Sequence, residues 1–548
     1  MPKSDFLFLE KPQGWSTHSP SADNPLHVGL HEWAQNLSRT FSQNSKFHVC
    51  HRLDRETSGA ILFAHDIEGA RALSEKFERH EVQKSYFFVS KAQTQKSQLE
   101  YSSFIEKVGD RFVSSNQTPN AFTRFEKIDS IDDYELWKAH PKSGKPHQIR
   151  LHAQALHIPV LGDHTHGGAH FSRMMLHSHS LDFEFQNETL HFDSDLPYIF
   201  ENLEVLKNLE LANWMSSAER RFWWLKNAQT ISKHHFLSQT NSWRWLHTET
   251  KHLRAEQLGS QIFFNWYSDQ YPDRSQVKNI ESFYEFLLQL GRKLNLPFGD
   301  APYFLQLRSD RQKSPREFGE IGSSPQFPKR WKIKENDLHY ELRLDSGLST
   351  GLFLDQRNNR QWVLMNSKNK RVLNLFSYTG GFSLCAARGG ASQVVSVDVS
   401  NNFLDWSKQN FLLNDLPTAG HEFRKIDSIE YLTWAKKKSL KFDLIICDPP
   451  SFARTDKKIF KIDKALPELI NHLASVLNPT GQILFCTNFE DLSARSFLKA
   501  LSAATEALDI GPAEFRILRE DFELPHQEPL MKCFLIQKME RVQTKQPR

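Results

Sequence analysis

The chain has 548 residues, of which 39% are hydrophobic and 24% are charged, and its formal net charge is +4. This length exceeds what a single hydrophobic core usually serves, so we expect at least two domains. The sequence contains no run of about eighteen apolar residues, which excludes a membrane-spanning helix. Its first residues lack the basic and apolar segments of a signal peptide, so we expect a cytoplasmic protein.

The five cysteines are scattered and form neither a CxxC pair nor a cysteine–histidine cluster. An odd number of widely spaced cysteines argues against a disulfide framework, and their spacing argues against a zinc site. We therefore predict reduced thiols and no bound metal. The mildly basic charge is compatible with nucleic-acid binding but does not establish it, because the position of the charges matters more than their sum.

Residues 1–205 contain many short β-like runs separated by glycine and proline, including Ser85–Val89, Leu136–Ala139 and Leu181–Phe185. Runs of this kind predict an α+β domain with a largely antiparallel sheet. Residues 206–330 are rich in tryptophan, for example Trp223, and so many tryptophans need a core. We predict a small α+β module there, with RNA positioning as one interpretation, and a boundary within 309–331.

The string HRLDRETSGAILFA, residues 51–64, places Asp54 between two arginines and just before an apolar run. That run predicts a buried strand, with Asp54 on the loop that leads into it. A guanidinium partner favours the charged form of a carboxylate, which a nucleophile or a general base requires. Considered alone, the string also fits a structural arginine–aspartate pair in a turn.

The complete string resembles the HRLDxxTSG signature of the RluA-type pseudouridine synthases. Further segments resemble that family in the family's own order, so that the resemblance covers residues 5–200. They are Lys11–Trp15, Lys84–Tyr86, Gly144–His152, Pro159–Gly167 and Leu176–Leu181. One departure is Lys145, which stands where the family commonly has arginine and concerns phosphate binding rather than the chemistry.

This resemblance implies isomerisation of uridine to pseudouridine in RNA, without a cofactor and with the target base flipped out of its stack. It implies Asp54 as the catalytic carboxylate, Arg150 as its ion-pair partner and Tyr86 as the group that packs against the base. Arg52 is expected to contact a phosphate or a base. Whether the aspartate attacks the sugar or removes a sugar proton stays open.

From Val372 onward, short apolar runs alternate with segments of helix length, as in Val394–Val397, Leu444–Cys447 and the amphipathic Ala465–Leu477. Fully apolar strands between helices are typical of a parallel sheet that is covered on both faces. We therefore predict an α/β, Rossmann-like domain over residues 331–548.

Ligand-binding residues of such a sheet lie at the carboxyl ends of its strands. The turn after the first strand consists of Phe376, Ser377, Tyr378, Thr379 and Gly380. Asp398 ends the second strand and suits ribose hydroxyl groups, although an aspartate there is also a common helix cap. Asp427 follows the third run, where we expect an adenine amino group, and Asp448 begins a DPPSF loop after the fourth.

Together these segments resemble class I methyltransferases, and specifically the ribosomal RNA methyltransferases of the RlmI and RlmK type. The run Gly351–Arg360 resembles that group's TGxFLDxR segment, and the match covers residues 335–545. The resemblance implies S-adenosylmethionine as the methyl donor, bound by the glycine turn, by the three aspartates and by Arg357. It also implies that Asp448 serves the transfer itself.

The methylated atom stays open between a guanine ring nitrogen, which we favour, and a cytosine carbon. Carbon methylation needs a thiolate that adds to the ring. Cys486 stands one position away from the place expected for that cysteine, and Asn488 resembles the guanine-methylating members. We interpret the chain as a bifunctional enzyme acting on RNA, with ribosomal RNA expected. The alternative is a methyltransferase whose first domain only binds RNA, and the oligomeric state stays open.

Overall fold

The computed structural model describes residues 5–19, 29–40, 45–115, 117–233, 236–247, 249–296, 301–308, 320–344, 349–450, 452–454, 459–489, 491–506, 508, 514–516 and 531–537. The chain forms two compact units. Unit 1 contains residues 1–238, 244–312 and 319–325, and unit 2 contains residues 239–243, 313–318 and 326–548. The division into three domains stays a prediction, and residues 309–319 of its second boundary lie outside the described residues.

The first part of unit 1 is built on a large mixed sheet. Its elements are β1 (Phe6–Lys11), α1 (Leu30–Thr40), β2 (His48–Val49), β3 (Ser58–Ala64), α2 (Ile67–Glu78), β4 (Gln83–Lys91), β5 (Gln98–Val108), β6 (Arg111–Ser115), β7 (Ala121–Ile131), β8 (Tyr134–Pro141), α3 (Gln148–Ala155), β9 (Leu176–Phe185) and β10 (Glu188–Asp193). The strand order is β1-β3-β9-β4-β8-β7-β5-β6, with β2 on β3 and β10 on β9. Neighbouring strands are antiparallel except for β3 and β9, which confirms the predicted α+β fold.

Strand β3 is central to this sheet because every one of its residues is buried. Its second residue, Gly59, has a φ of +106°, and a Cβ there would lie 2.1 Å from the carbonyl oxygen of Ser178 on β9. Only glycine permits this close approach of the two backbones. The loop that carries Asp54 is therefore anchored directly at the junction of β3 and β9.

The second part of unit 1 contains a long helix and a smaller sheet. Its elements are α4 (Tyr198–Glu201), α5 (Leu209–Ile231), α6 (Phe236–Gln239), β11 (Ser242–Leu246), β12 (Leu253–Leu258), β13 (Gln261–Tyr267), α7 (Arg274–Lys293), β14 (Tyr303–Arg308) and β15 (Glu320–Ser323), of which the last residue of α6 and the first two residues of β11 belong to unit 2. The strand order follows the chain from β11 to β15. Trp223 and Trp266 are buried, as expected of tryptophans that need a core.

Helix α5 packs on the first sheet of the same unit. The Asn227 side chain accepts from the Glu10 backbone N–H at 3.0 Å and donates to the Glu10 carbonyl oxygen at 2.8 Å. Lys226 adds an ion pair to the Glu10 carboxylate at 2.8 Å. These buried contacts join the tryptophan-rich segment to the β1 strand within one compact unit.

Unit 2 begins with a hairpin and continues as an α/β sheet. Its elements are β16 (Arg330–Glu335), β17 (Leu338–Arg343), α8 (Arg357–Asn366), β18 (Arg371–Leu375), α9 (Gly381–Arg388), β19 (Gln393–Asp398), α10 (Asn401–Leu413), β20 (Glu422–Lys425), α11 (Ser428–Lys437), β21 (Phe442–Cys447), β22 (Phe452–Arg454), β23 (Ile459–Lys461), α12 (Ile462–Ser475), β24 (Leu477–Thr487), α13 (Ala494–Glu506), β25 (Glu514–Arg516) and β26 (Lys532–Gln537).

The main sheet of unit 2 has the order β20-β19-β18-β21-β24-β26-β25. Strands β18 to β21 and β24 are parallel, and β25 and β26 run antiparallel at one edge. Strand β18 pairs with both β19 and β21, so the chain order reverses there, and ligands of such sheets bind outside this switch point. The α/β prediction is confirmed. No helix among the residues described is long and apolar enough to cross a membrane.

Candidate active sites

The first candidate site surrounds Asp54, on the loop between β2 and β3. Arg150, from the first turn of α3, directs Nη1 to Asp54 Oδ2 at 3.4 Å. The Arg150 side chain is 8% exposed and that of Asp54 is 29% exposed. The carboxylate is therefore accessible to a ligand, whereas the guanidinium is buried. The predicted ion pair between these two residues is present.

A second carboxylate holds the guanidinium in place. Asp163 accepts from Arg150 Nε at 2.6 Å and from Arg150 Nη2 at 2.8 Å, and its side chain is only 1% exposed. Burial alone would raise the pKa of Asp163, but hydrogen bonds from Arg150 and His166 outweigh it and hold that pKa well below its ordinary value. Asp163 had no predicted role, although its place directly after Gly162, in a segment that resembles the family, was a usable signal.

His147 forms another edge of this site. It precedes α3 in a left-handed conformation, with a φ of 56°, and its Nε2 lies 3.9 Å from Asp54 Oδ2. Its ring centroid is 5.2 Å from that of His166. Burial lowers the pKa of His147, against the opposing effect of the Asp54 carboxylate. A neutral imidazole beside the aspartate offers a flat surface without competing for the Arg150 ion pair.

Tyr86 lies on β4, half-buried, opposite Ser178 of β9. Burial, and to a smaller extent the nearby Asp54 carboxylate, raise the pKa of Tyr86 to about 12, against a hydrogen bond with Ser178. Its phenol is therefore protonated at neutral pH. The structure brings Asp54, Arg150 and Tyr86 together, whereas Arg52 is exposed on the loop.

The second candidate site lies at the carboxyl ends of the strands of unit 2. Gly380 ends the turn after β18 with a φ of +75°, and a Cβ there would lie 1.8 Å from Ser407 Oγ. Thr379 is tied to this framework because its Oγ1 donates to the Gly351 carbonyl oxygen at 2.5 Å and its own carbonyl accepts from Asn410 at 3.1 Å. Ser377 is buried beside it and Phe376 is half-buried.

Asp398, at the end of β19, is held by two backbone N–H groups. Its Oδ2 accepts from Tyr378 N and its Oδ1 from Ser400 N, each at 2.9 Å. Burial raises the pKa of this carboxyl, and those backbone hydrogen bonds oppose the rise. The next side chain, Val399, is 55% exposed, an apolar surface beside a polar acceptor. A nucleoside offers the matching pair of a hydroxyl-bearing sugar and a flat apolar base.

Asp427 is a helix cap in this structure. Its Oδ1 accepts from Ile429 N at 2.9 Å and from Glu430 N at 3.2 Å at the start of α11. A contact between its other oxygen and an adenine amino group stays a prediction. Arg357 is buried, donates to the Ser242 carbonyl oxygen and lies 3.7 Å from Glu335 Oε2. Its guanidinium is thus bound to protein groups, which disfavours the predicted cofactor contact.

Asp448 follows β21 and is half-buried. Its Oδ2 accepts from Gln356 Nε2 at 2.9 Å. Burial, and then the Asp355 carboxyl, raise the pKa of Asp448 to about 7, against the opposing effect of the Gln356 hydrogen bond. Gln356 was missed from the sequence, although it is the residue before Arg357 in the quoted segment. In the DPPSF loop, Ser451 lies outside the described residues.

Cys486 is completely buried on β24, opposite Cys533 of the antiparallel β26. Asn359 Nδ2 lies 3.5 Å from Cys486 Sγ and 2.9 Å from Cys533 Sγ. Burial, and then the Cys533 thiol, raise the pKa of Cys486 well above its ordinary value. Asn488, two residues later, is exposed. Among the described residues, no group of three or more histidine, cysteine or acidic side chains is placed to hold a metal ion.

Comparison with known proteins gives two family matches. Residues 5–155 match the model of the RNA pseudouridylate synthases, and residues 305–530 match that of the S-adenosylmethionine-dependent methyltransferases. Both resemblances predicted from the sequence are confirmed at this level, as is S-adenosylmethionine for the second segment.

Two of the relatives of this chain are methyltransferases by name. Ribosomal RNA large subunit methyltransferase K of Neisseria meningitidis serogroup B is 36% identical over 41% of this chain and 66% of its own length. Ribosomal RNA large subunit methyltransferase K/L of Shewanella sp. (strain ANA-3) is 43% identical over 27% of this chain and 21% of its own length. The chain therefore spans only part of each relative.

A solved structure matches the first segment. Human RNA Pseudouridylate Synthase Domain Containing 1 is 24% identical, with a TM-score of 0.30, over 35% of this chain and 81% of that chain.

Proposed function

Because the chain joins a segment of the RNA pseudouridylate synthase family to one of the S-adenosylmethionine-dependent methyltransferase family, we propose that it modifies RNA in two ways. The first site isomerises uridine to pseudouridine, and the second methylates a base. The observation that carries the first half is the Arg150–Asp54 ion pair beside Tyr86. Ribosomal RNA of the large subunit is the proposed substrate, since the named relatives of the second segment are enzymes for that RNA.

The first site suits a flipped-out uridine. Asp163 fixes two nitrogens of the Arg150 guanidinium, and the third nitrogen, Nη1, is left for Asp54. The ion pair fixes the orientation of the Asp54 carboxylate toward the sugar, where it can act either as a nucleophile or as a base. The ring of Tyr86, with its phenol uncharged, and the ring of His147 supply surfaces against which a base can pack. A domain that merely bound RNA would have no use for this arrangement.

The second site fits a nucleoside cofactor. Asp398 is positioned for ribose hydroxyls, Val399 for an apolar ring, and Gly380 for close backbone approach. When bound, S-adenosylmethionine supplies an electrophilic methyl group. The chain's own residues then orient the acceptor base and exclude water, and Asp448 offers a half-buried carboxyl at the carboxyl edge of the sheet.

We favour a guanine ring nitrogen as the methyl acceptor. Addition to cytosine requires a cysteine thiolate that reaches the ring. Cys486 is fully buried, its pKa is raised, and its sulfur lies beside Asn359 and Cys533. A ring nitrogen needs only a lone pair aligned with the donor, which positioning alone can achieve.

The test is to map pseudouridines and methylated bases in ribosomal RNA from cells with and without this gene. We expect one or more pseudouridines and one methylated guanine to disappear together in the deletion strain. Both should return when the wild-type chain is supplied. Unchanged pseudouridines would overturn the first half of the proposal, and unchanged methylation would overturn the second.

A further inference from the structure

Gln356 is the closest polar partner of Asp448. It lies in the short turn before α8, is 1% exposed, and donates from Nε2 to Asp448 Oδ2 at 2.9 Å. Asp448 stands at the end of β21, next to the sheet's switch point. The contact therefore joins the segment before the first strand of the sheet to the carboxylate at its carboxyl edge.

The orientation of the Gln356 amide is determined by a second buried side chain. Asn359 lies three residues later, on the same face of the helix, and its Nδ2 donates to Gln356 Oε1 at 2.6 Å. Since the Gln356 oxygen accepts from Asn359, its nitrogen must face Asp448. Asn359 Nδ2 also lies 2.9 Å from Cys533 Sγ, so this series of contacts extends from Asp448 to the buried strand β26.

Only one oxygen of Asp448 is engaged in this way. Within the part of the chain that the structure describes, Oδ1 of Asp448 has no hydrogen-bond partner, and the residue is half-buried rather than enclosed. A carboxylate with one oxygen held by an amide presents the other in a single direction. An ionised carboxylate can only accept, so a ligand group that meets this second oxygen must be a donor, such as an N–H of an acceptor base.

We propose that Gln356 is a positioning residue for methyl transfer: it holds Asp448 Oδ2 so that Oδ1 accepts an N–H of the RNA base and aligns that base with the methyl donor. The inference rests on the proposed methyltransferase function and deepens it. Gln356 touches Asp448 and not the reacting atoms, so it acts through the aspartate. A mispositioned base loses rate even when it still binds.

The charges around Asp448 determine how the inference is tested. Asp355 opposes ionisation of Asp448 from the same turn as Gln356, and Arg360 of α8 favours it. Asp448 in turn contributes to the raised pKa of two buried thiols, those of Cys447 on β21 and Cys486 on β24. Of these groups, only the Gln356 amide donates a hydrogen bond to Asp448. Removing it should therefore raise the pKa of Asp448 as well as free its carboxyl to rotate.

The experiment measures methyl transfer by the full chain to ribosomal RNA from the deletion strain, with radiolabelled S-adenosylmethionine, from pH 5.5 to about 9. For Gln356→Leu we expect kcat to fall about 10- to 100-fold, as for loss of a hydrogen bond to a charged group. The KM for S-adenosylmethionine should stay within about twofold. The pH midpoint of kcat should move upward, because the variant's Asp448 ionises at higher pH.

Gln482→Leu is the matched control. Gln482 is a half-buried glutamine on β24 that pairs with Lys370 and Gln537, away from the carboxyl ends of the strands. It should leave kcat and its pH midpoint unchanged. If Gln356→Leu does not fold, Gln356→Glu is measured instead, since Asn359 can still donate to it. We expect a similar loss of kcat from Gln356→Glu, because an ionised glutamate cannot donate to Asp448.

The outcomes separate the two levels of the proposal. An active wild-type enzyme with a slowed, pH-shifted Gln356 variant supports the positioning role. An active wild-type enzyme whose Gln356 variants keep their kcat and pH midpoint overturns this inference and leaves the proposed function intact. A wild-type chain that binds S-adenosylmethionine by calorimetry but methylates no RNA overturns the proposed function, and this inference with it.

Discussion

Two aspartates occupy the centres of the two sites, and their surroundings differ in charge. Asp54 in unit 1 faces the Arg150 guanidinium, which is itself held by Asp163. Asp448 in unit 2 faces the neutral amide of Gln356 and lies near a second carboxyl, Asp355. One residue type can therefore serve two chemistries, because the groups around it decide how its carboxyl is held.

The largest effect is expected at the first site. Asp54→Asn keeps the shape of the side chain but removes its charge, so pseudouridine formation should fall at least about a thousandfold. Methyl transfer by the same variant should be unchanged. Pseudouridine mapping in the complemented deletion strain measures the first effect. The control is Asp66→Asn, a cap of α2 whose bond to Gly69 N an asparagine can keep.

A variant with full pseudouridine at the target would show that the first unit only binds RNA at that position. The same result would end the claim that Asp54 is catalytic, and it would leave the proposed methyl transfer by unit 2 unaffected.

The next effect concerns stability. Arg150→Leu leaves the 1% exposed Asp163 carboxylate without its cation, so the free energy of unfolding of unit 1 should fall by about 3–5 kcal/mol in urea melts. The exposed Arg124→Leu is the control and should change it by less than about 0.5 kcal/mol. Equal effects of the two substitutions would contradict a buried charge network.

The same network gives a pH signature. The pKa of Asp163 is lower in the folded than in the unfolded chain, so its contribution to stability is complete above its ordinary pKa and is lost as the pH falls through its folded value. Acid melts of Arg150→Leu should therefore lose less stability on acidification than those of the wild-type chain.

The glycine turn of the second site gives a smaller effect. Gly380→Ala combines a positive φ with a Cβ 1.8 Å from Ser407 Oγ, so we expect it to cost more than about 2 kcal/mol and to weaken S-adenosylmethionine binding. Gly420→Ala has a φ of +87° but no atom within 4 Å of its Cβ. It should cost only about 1–2 kcal/mol, from backbone strain alone. Equal costs in thermal melts would argue against a tight turn at Gly380.

Methyl transfer should also depend on pH through Asp448. With the pKa of Asp448 raised to about 7, methyl transfer should fall about tenfold per pH unit below that value, because the protonated carboxyl no longer accepts an N–H. Initial rates of both reactions on one RNA sample, between pH 5.5 and about 8, test this. A methyl-transfer rate that does not change across this range would contradict the role of Asp448 as a hydrogen-bond acceptor for the base.

The smallest effect is expected at Cys486. Cys486→Ala should methylate RNA within about twofold of the wild-type rate, because a buried neutral thiol does not add to a pyrimidine ring. Cys385→Ala, at another fully buried cysteine, controls for lost packing. A covalent complex between the wild-type chain and RNA carrying a fluorinated cytosine, absent from Cys486→Ala, would favour carbon methylation instead.

Much of the two sites could be predicted because it depends on local patterns. The string around Asp54 and the segment containing Arg150 each carry enough residue types in order to identify a family, and their meeting in space followed from that resemblance. The alternation of apolar runs and helices likewise predicted the parallel sheet of unit 2. Fully apolar strands have few other stable arrangements in water.

The roles of Asp163, Gln356 and Arg357 could not be assigned in this way. Asp163 and Gln356 both lie in segments that resemble a family motif. The spacing of these segments does not show which of their side chains faces the site. The resemblance implies Arg357 as a cofactor contact, whereas the structure shows that its neighbour Gln356 is the residue that reaches Asp448. Adjacent residues at the start of a helix point about 100° apart, so packing decides which one reaches the site.

The sequence by itself predicted the two fold classes from its hydrophobic periods, and it predicted the two families and the cluster of Asp54, Arg150 and Tyr86 from its resemblance to known motifs. Only the tertiary structure decided that Asp163 holds the Arg150 guanidinium, and that Asp448 faces an amide and lies near a second carboxyl. It also buried Cys486 beside Cys533. The physical reason is that charge state and burial depend on groups distant in the chain, whose approach no local pattern records.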